Sequence, residues 1–150
     1  MVRCVVLPRS EFRIFLPREV PDAPLTLVED EYLVEWRSDR IGHPGSYGCL
    51  GGRLATGSPA PVHAARDGSP FLTSLAGSAD TVLWGLPDEY RAAVDGVPLR
   101  LTITRAAHGE ASSSLGVFRD LAHVLWLVCS TQNTVTDGQI EAAREGIPFR

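Results

Sequence analysis

The chain has 150 residues, 44% hydrophobic and 21% charged, with a formal net charge of −4. That length suits one domain able to bury its own core, and the acidic balance argues against nonspecific nucleic-acid binding, which relies on broad basic patches. The longest apolar run, Val124 to Cys129, is too short to cross a bilayer, and Cys4, Cys49 and Cys129 are too widely spaced for a disulfide framework or a zinc knuckle. The apolar patch at the start is too short for a signal peptide. A cytoplasmic protein is expected, with no membrane or DNA partner.

Residues 1–26 hold two apolar runs, Val5 to Leu7 and Phe12 to Leu16, bounded by Pro8, Pro17, Pro21 and Pro24. Alternation around Phe12, Ile14 and Leu16 predicts a strand, and the prolines favour an edge strand or an arm. Leu27 to Trp36 and Tyr47 to Leu54 read as the two strands of a hairpin with its tip at Ser38 to Ser46. Gly51-Gly52 inside the second strand predicts a bulge or a close backbone approach. Gly57 to Asp80 reads as loop, with Phe71-Leu72 its firm apolar anchor and a strand or turn near Pro70 to Ala76.

Thr81 to Leu86 predicts a strand. Pro87, Asp88 and Glu89 then suit the first turn of a short helix, which Gly96 ends. From Leu99 to Thr104 apolar residues recur at period two, as in a half-buried strand. Ala106 to Ala111 reads as a polar, turn-rich loop, and the serines at 112 to 114 are natural caps for a second helix over Ser114 to about Ser130. That helix is apolar on most sides, so it must be buried on most sides. The expected covers are the Phe12 to Leu16 strand and the Ile140 to Phe149 segment, with a second copy of the chain as the fallback. The tail, 131–150, is polar apart from a short helix predicted over Gln139 to Glu145.

Two motifs carry a resemblance. Leu86-Pro87-Asp88-Glu89-Tyr90 with Ala93-Val94, followed by a strand and then His108, Glu110, Ser113 and Ser114, resembles domain IV of translation elongation factor G and its eukaryotic counterpart. That family has an Ile-Pro-x-Glu-Tyr-x-x-Ala-Val segment there, and a tip loop reading Tyr-His-Glu-Val-Asp-Ser-Ser. Upstream, His43-Pro44-Gly45-Ser46-Tyr47-Gly48 keeps three residues of the family's Gly-x-Gly-x-Tyr-Gly loop. The chain departs from the pattern at Ser112, where the family has Asp, at Leu115, where it has an acidic residue, and in a shorter first helix.

The resemblance implies an α+β two-layer sandwich over residues 27–130: a four-stranded sheet with two helices on one face, and a left-handed β-α-β crossover. This is the ribosomal-protein-like superfold, here with an N-terminal arm. It also implies a free-standing domain that contacts RNA or the ribosome. In the factor the domain reaches the decoding region of the small subunit, and a separate domain binds GTP. Neither catalytic residues nor a cofactor is implied. The RNA-contact candidates are Arg37, Arg40, His43 and Tyr47 from one loop and His108, Glu110, Ser112 and Ser113 from the other. A homodimer is a further possible assembly.

Read without the resemblance, the serines need do no more than cap, and the glycines with Pro44 need only turn a hairpin. Consecutive residues such as His108, Glu110 and Ser112 rarely converge as a hydrolase triad, and no Gly-x-Ser-x-Gly elbow exists. Cys49 beside His43 or His108 could form a thiol–imidazole pair, but at a strand start a buried small hydrophobe fits better. The four histidines lack metal-ligand spacing, and Gly51-Gly52-Arg53 lacks the Lys-Ser or Lys-Thr of a phosphate loop. Two other function classes stand beside RNA contact. A small-molecule enzyme would need a deep pocket with convergent polar groups, and a partner-binding protein a large apolar patch.

Overall fold

The computed structural model describes residues 3–7, 9–16, 31–40, 43–54, 68–95, 101–131 and 135–144. Among these residues six strands and three helices follow in chain order: β1 (Arg3–Leu7), β2 (Ser10–Phe15), β3 (Tyr32–Ser38), β4 (Tyr47–Leu54), β5 (Val82–Trp84), α1 (Asp88–Asp95), β6 (Leu101–Gly109), α2 (Leu115–Thr131) and α3 (Asp137–Arg144). The strands form one open antiparallel sheet in the order β1-β2-β3-β4-β6-β5. The fold is therefore α+β. The four strands and two helices expected from the sequence become six and three.

The additions come from the chain ends. β1 and β2 form a tight hairpin turned at Arg9, whose φ of 64° is left-handed. β2 then pairs with β3, so only β1 lies at an edge, while β2 is inside the sheet despite the prolines around it. The strand expected from Leu27 begins at Tyr32, and residues 27–30 lie outside those described. So do residues 57–67 of the loop expected from Gly57, the helix stop at Gly96 and the segment 145–150.

β6 runs to Gly109, through most of the stretch read as a polar loop. Its small residues explain this. Ala106 and Ala107 are buried, with β4 on one side and β5 on the other supplying backbone partners. Only Glu110 to Ser112 turn. The connection through α1 joins two neighbouring antiparallel strands, β5 and β6, so the parallel crossover implied by the resemblance does not occur there.

The two sheet faces bury different cores. On one face, Phe12, Ile14, Val34, Trp36, Leu50 and Ile103 meet Ala93 and Val94 of α1, eight residues of α2 from Phe118 to Cys129, and Ile140 and Ala143 of α3. Alternation along each strand selects that face. α2 is thus buried on most sides, and α3 and the β2 strand supply part of its cover, as the sequence requires. Each fully buried aliphatic or aromatic side chain contributes about 1.5–3 kcal/mol relative to exposure. On the other face, Phe15, Leu33, Tyr47, Cys49, Val82, Trp84 and Ala107 pack beneath Phe71 and Ala76. Phe71 stacks on Trp84 with ring centroids 4.4 Å apart. Among the described residues no helix is long and apolar enough to cross a membrane.

β4 shifts register between Gly51 and Gly52, where the sequence predicts a bulge. A Cβ at Gly52 would lie 2.1 Å from the Thr102 carbonyl oxygen, so the chains approach there as only glycine permits.

Candidate functional site

The β3–β4 connection and the β6–α2 connection lie together at one end of the sheet. The amides of Ser46 and Tyr47 both donate to the Ser112 carbonyl, at 2.8 and 3.0 Å. The Ser113 hydroxyl donates to the Tyr47 carbonyl at 2.8 Å and accepts from the Gly109 amide at 2.9 Å. Ser114 caps α2, with the Val117 amide 3.4 Å from its Oγ. Of the three serines offered as caps, two instead fasten one loop to the other.

Asp80 is the clamp behind this junction. Its carboxylate accepts from the amides of Ala111 and Ser112 and from the Ser112 hydroxyl, and also from the Thr81 amide. A Cβ at Gly109 would fall 2.2 Å from both Asp80 Oδ2 and Ser112 Oγ, so glycine is needed for the carboxylate to reach the loop. Nothing local in the sequence marks Asp80, because its loop partners Ala111 and Ser112 lie some thirty positions downstream. Removing the carboxylate in Asp80→Ala takes the acceptor from four donors and is expected to cost roughly 1.5–3 kcal/mol. Native-state hydrogen exchange at Ala111 and Ser112 should accelerate. Unchanged protection there would show that Asp80 does not fix the loop.

The sequence candidates divide by accessibility. Arg40 and His43 are exposed on the first loop and Glu110 on the second. Arg37 is half-buried, with its guanidinium 3.2 Å from Glu11 Oε1. His108 is half-buried, and its Nδ1–H donates to the Gly85 carbonyl at 2.9 Å, which fixes the tautomer in the neutral ring. Tyr47 and Ser112 are fully enclosed and Ser113 nearly so, with their hydroxyls committed to internal partners. These three build the tip rather than face solvent.

Beneath the second sheet face lies a buried ionic cluster. Glu35 is completely enclosed. Its Oε1 accepts from Arg13 Nε at 2.6 Å and forms an ion pair with Arg13 Nη2. Its Oε2 accepts from the Tyr47 hydroxyl at 2.6 Å and the Leu75 amide at 2.9 Å. Arg13 also donates to the Thr73 carbonyl and lies over the Phe15 ring. The cluster therefore ties the 71–76 segment onto the sheet. Burial raises the Glu35 carboxyl above the ordinary glutamate value, with Arg13 the main opposing influence. The Tyr47 hydroxyl is pushed well up by burial and then by the Glu35 charge, and so is the Cys49 thiol. A thiol held protonated in this way is a poor nucleophile. The thiol–imidazole reading has no support in this geometry.

Arg13 and Glu35 are directly opposed across β2 and β3. The sequence does carry a trace of them: opposite charges on the same face of two alternating strands. Among the described residues no group of three or more His, Cys, Asp or Glu could hold a metal ion. Among the described residues a cleft of about 200 Å³, open solvent included, lies on the helix side of the sheet. It is not the deep pocket a small-molecule enzyme needs.

No protein-family model, curated protein or solved structure matches this chain.

Proposed function

We propose that this is a non-catalytic RNA-contacting domain, similar to domain IV of elongation factor G, that uses the paired loops as its contact surface. The observation that carries the reading is the union of the two loops through the Ser112 carbonyl, with Asp80 behind it. The two family-like motifs are far apart in sequence yet end in one tip. Held in this way, the tip loses little conformational freedom on binding. Arg40 and His43 offer donors for phosphate or ribose, and the small radius of the tip suits a groove or loop of folded RNA. A contact this local depends on position more than on overall charge, so the acidic net balance does not oppose it.

The test is fluorescence anisotropy with a fragment of small-subunit ribosomal RNA from the decoding region, using wild type and an Arg40→Ala/His43→Ala double variant. With one or two phosphate contacts, the logarithm of affinity should fall against log salt with a slope of about −1 to −2. The double variant should bind about tenfold more weakly, with a shallower slope. Equal affinity and slope for both proteins would place any RNA contact elsewhere.

A further inference from the structure

The chain before β5 crosses the second sheet face and returns. Gly68 to Phe71 lie along the outer edge of β5: the Gly68 amide donates to the Trp84 carbonyl, the Trp84 amide to the Ser69 carbonyl and the Phe71 amide to the Val82 carbonyl. The segment then reaches as far as β2 and β3. There Arg13 donates to the Thr73 carbonyl at 2.7 Å, and Glu35 accepts from the Leu75 amide at 2.9 Å. It comes back to β5 through Asp80, whose carboxylate holds Ala111 and Ser112. Residues 69–80 thus form a strap. Its buried residues are Phe71, Ser74 and Ala76, while Leu72 is 74% exposed. A segment with so few buried apolar contacts opens at a lower cost than the whole domain unfolds.

The hydrogen bonds of the strap and of the tip close a circuit. The Leu75 amide and the Tyr47 hydroxyl both donate to Glu35 Oε2, at 2.9 and 2.6 Å. The Tyr47 amide donates to the Ser112 carbonyl at 3.0 Å, and the Ser112 amide donates to Asp80 Oδ2 at 3.0 Å. From Asp80 the backbone leads back to Leu75 through Gly77, whose φ of 57° makes the bend. Lifting the strap takes the Leu75 amide from Glu35 and the Asp80 carboxylate from Ser112 together. Polar networks of this kind lose more from one broken link than that link alone is worth. Beneath the strap lies Cys49, completely buried in the same cluster as Phe71 and Ala76.

We infer that the strap and the loop tip form one conformational unit, latched at Glu35 and Asp80, that opens while the helix-side core stays folded. Opening uncovers Cys49 and releases the tip at the same moment. The coupling is reciprocal: a partner that grips the tip holds the strap down, and anything that lifts the strap slackens the tip. It is a property of the fold and stands whether or not the tip meets RNA.

The test combines native-state hydrogen exchange with iodoacetamide labelling of the intact chain, read separately at Cys4, Cys49 and Cys129 by peptide mass spectrometry. Wild type, Tyr47→Phe and Asp80→Ala are compared under conditions where exchange reports the opening equilibrium. In wild type the amides of Ser46, in the tip, and Leu75, in the strap, should share one opening constant. It should exceed that of Leu125 in α2 by about a hundredfold or more. Cys49 should be labelled through the same opening, ahead of Cys129 on the helix side. Tyr47→Phe removes the hydroxyl alone and should raise exchange at both Ser46 and Leu75 about tenfold. Asp80→Ala makes its change at the other latch, yet should speed Leu75 exchange and Cys49 labelling by the same factor as Ser46 exchange. Faster exchange at Ser46 with Leu75 and Cys49 unchanged would show that strap and tip open separately, and would overturn the proposal. So would an unchanged Ser46 in Tyr47→Phe, or a Leu75 amide that exchanges no faster than Leu125, since its opening would then be global unfolding.

Discussion

Replacing Glu35 with alanine is expected to cost about 3–5 kcal/mol, the usual consequence of breaking a buried ion pair from one side. The loss is large because Arg13 stays largely covered, while the Tyr47 hydroxyl and the Leu75 amide lose their acceptor together. A domain of this size has roughly 5–15 kcal/mol in total, so Glu35→Ala should fold only at low temperature, if at all. Glu35→Gln keeps the shape and one acceptor, and should lose clearly less.

The two proteins, wild type and Glu35→Gln, also separate the role of charge. Burial raises the Glu35 pKa in the folded state, so the native protein holds this proton more tightly than the unfolded chain does. The stabilising contribution is therefore fully present below the ordinary glutamate value and is lost as pH rises through the raised folded value. Urea titrations at a series of pH values should show the stability difference, wild type minus Glu35→Gln, falling with rising pH. The slope can reach about 1.4 kcal/mol per pH unit for one proton. A difference that instead rises with pH would mean that Arg13 and the hydrogen bonds outweigh burial, leaving Glu35 with a depressed pKa.

The second large effect concerns the bulge. Gly52→Ala would drive a Cβ into the Thr102 carbonyl oxygen at 2.1 Å and close to Ile103 Cα at 3.1 Å. Both obstacles are backbone, so no rotamer change relieves them. The β4–β6 pairing would have to open, at a cost of about 3 kcal/mol or more. Gly138→Ala provides the opposite case. Nothing lies within 4 Å of a Cβ there, and the residue is exposed in α3. That change should stabilise by up to about 1 kcal/mol through helix propensity and a less flexible unfolded chain. Thermal melts of the two variants should move in opposite directions. A Gly52→Ala protein as stable as wild type would show that the bulge can accommodate a side chain.

Much of this architecture can be read from local pattern. The strand read over Tyr47 to Leu54 is β4 at its observed bounds, and Gly51-Gly52 marks its irregularity. Pro87, Asp88 and Glu89 mark the start of α1, and Ser114 with the apolar run behind it gives α2 to within a residue at either end. Other features were hidden because their cause lies far away in the chain. β6 extends through Ala107 and His108 only because β4 and β5 pair with it on both sides. β2 becomes an inner strand because β1 folds back across its outer edge.

The candidate site divides in the same way. The glycine, serine and tyrosine motifs pointed to two loops that the fold brings together, since turn and cap chemistry is local. They did not reveal which hydroxyls face inward. Ser112, Ser113 and Tyr47 are spent on holding the tip, while Arg40, His43 and Glu110 remain outside. Asp80 and Glu35, which hold the tip and the neighbouring loop segment, leave little trace in sequence because each acts on residues distant in the chain.

The measurement that bears most directly on the tip as a contact surface is co-sedimentation with small ribosomal subunits. Wild type, Arg40→Ala/His43→Ala and Asp80→Ala should be compared at two salt concentrations. If the paired loops are the contact surface, wild type pellets with the subunits and is released by salt. The double variant stays in the supernatant because its donors are gone, and Asp80→Ala is retained weakly because its tip is loosened. Pelleting of all three proteins alike, or of none, would contradict the account.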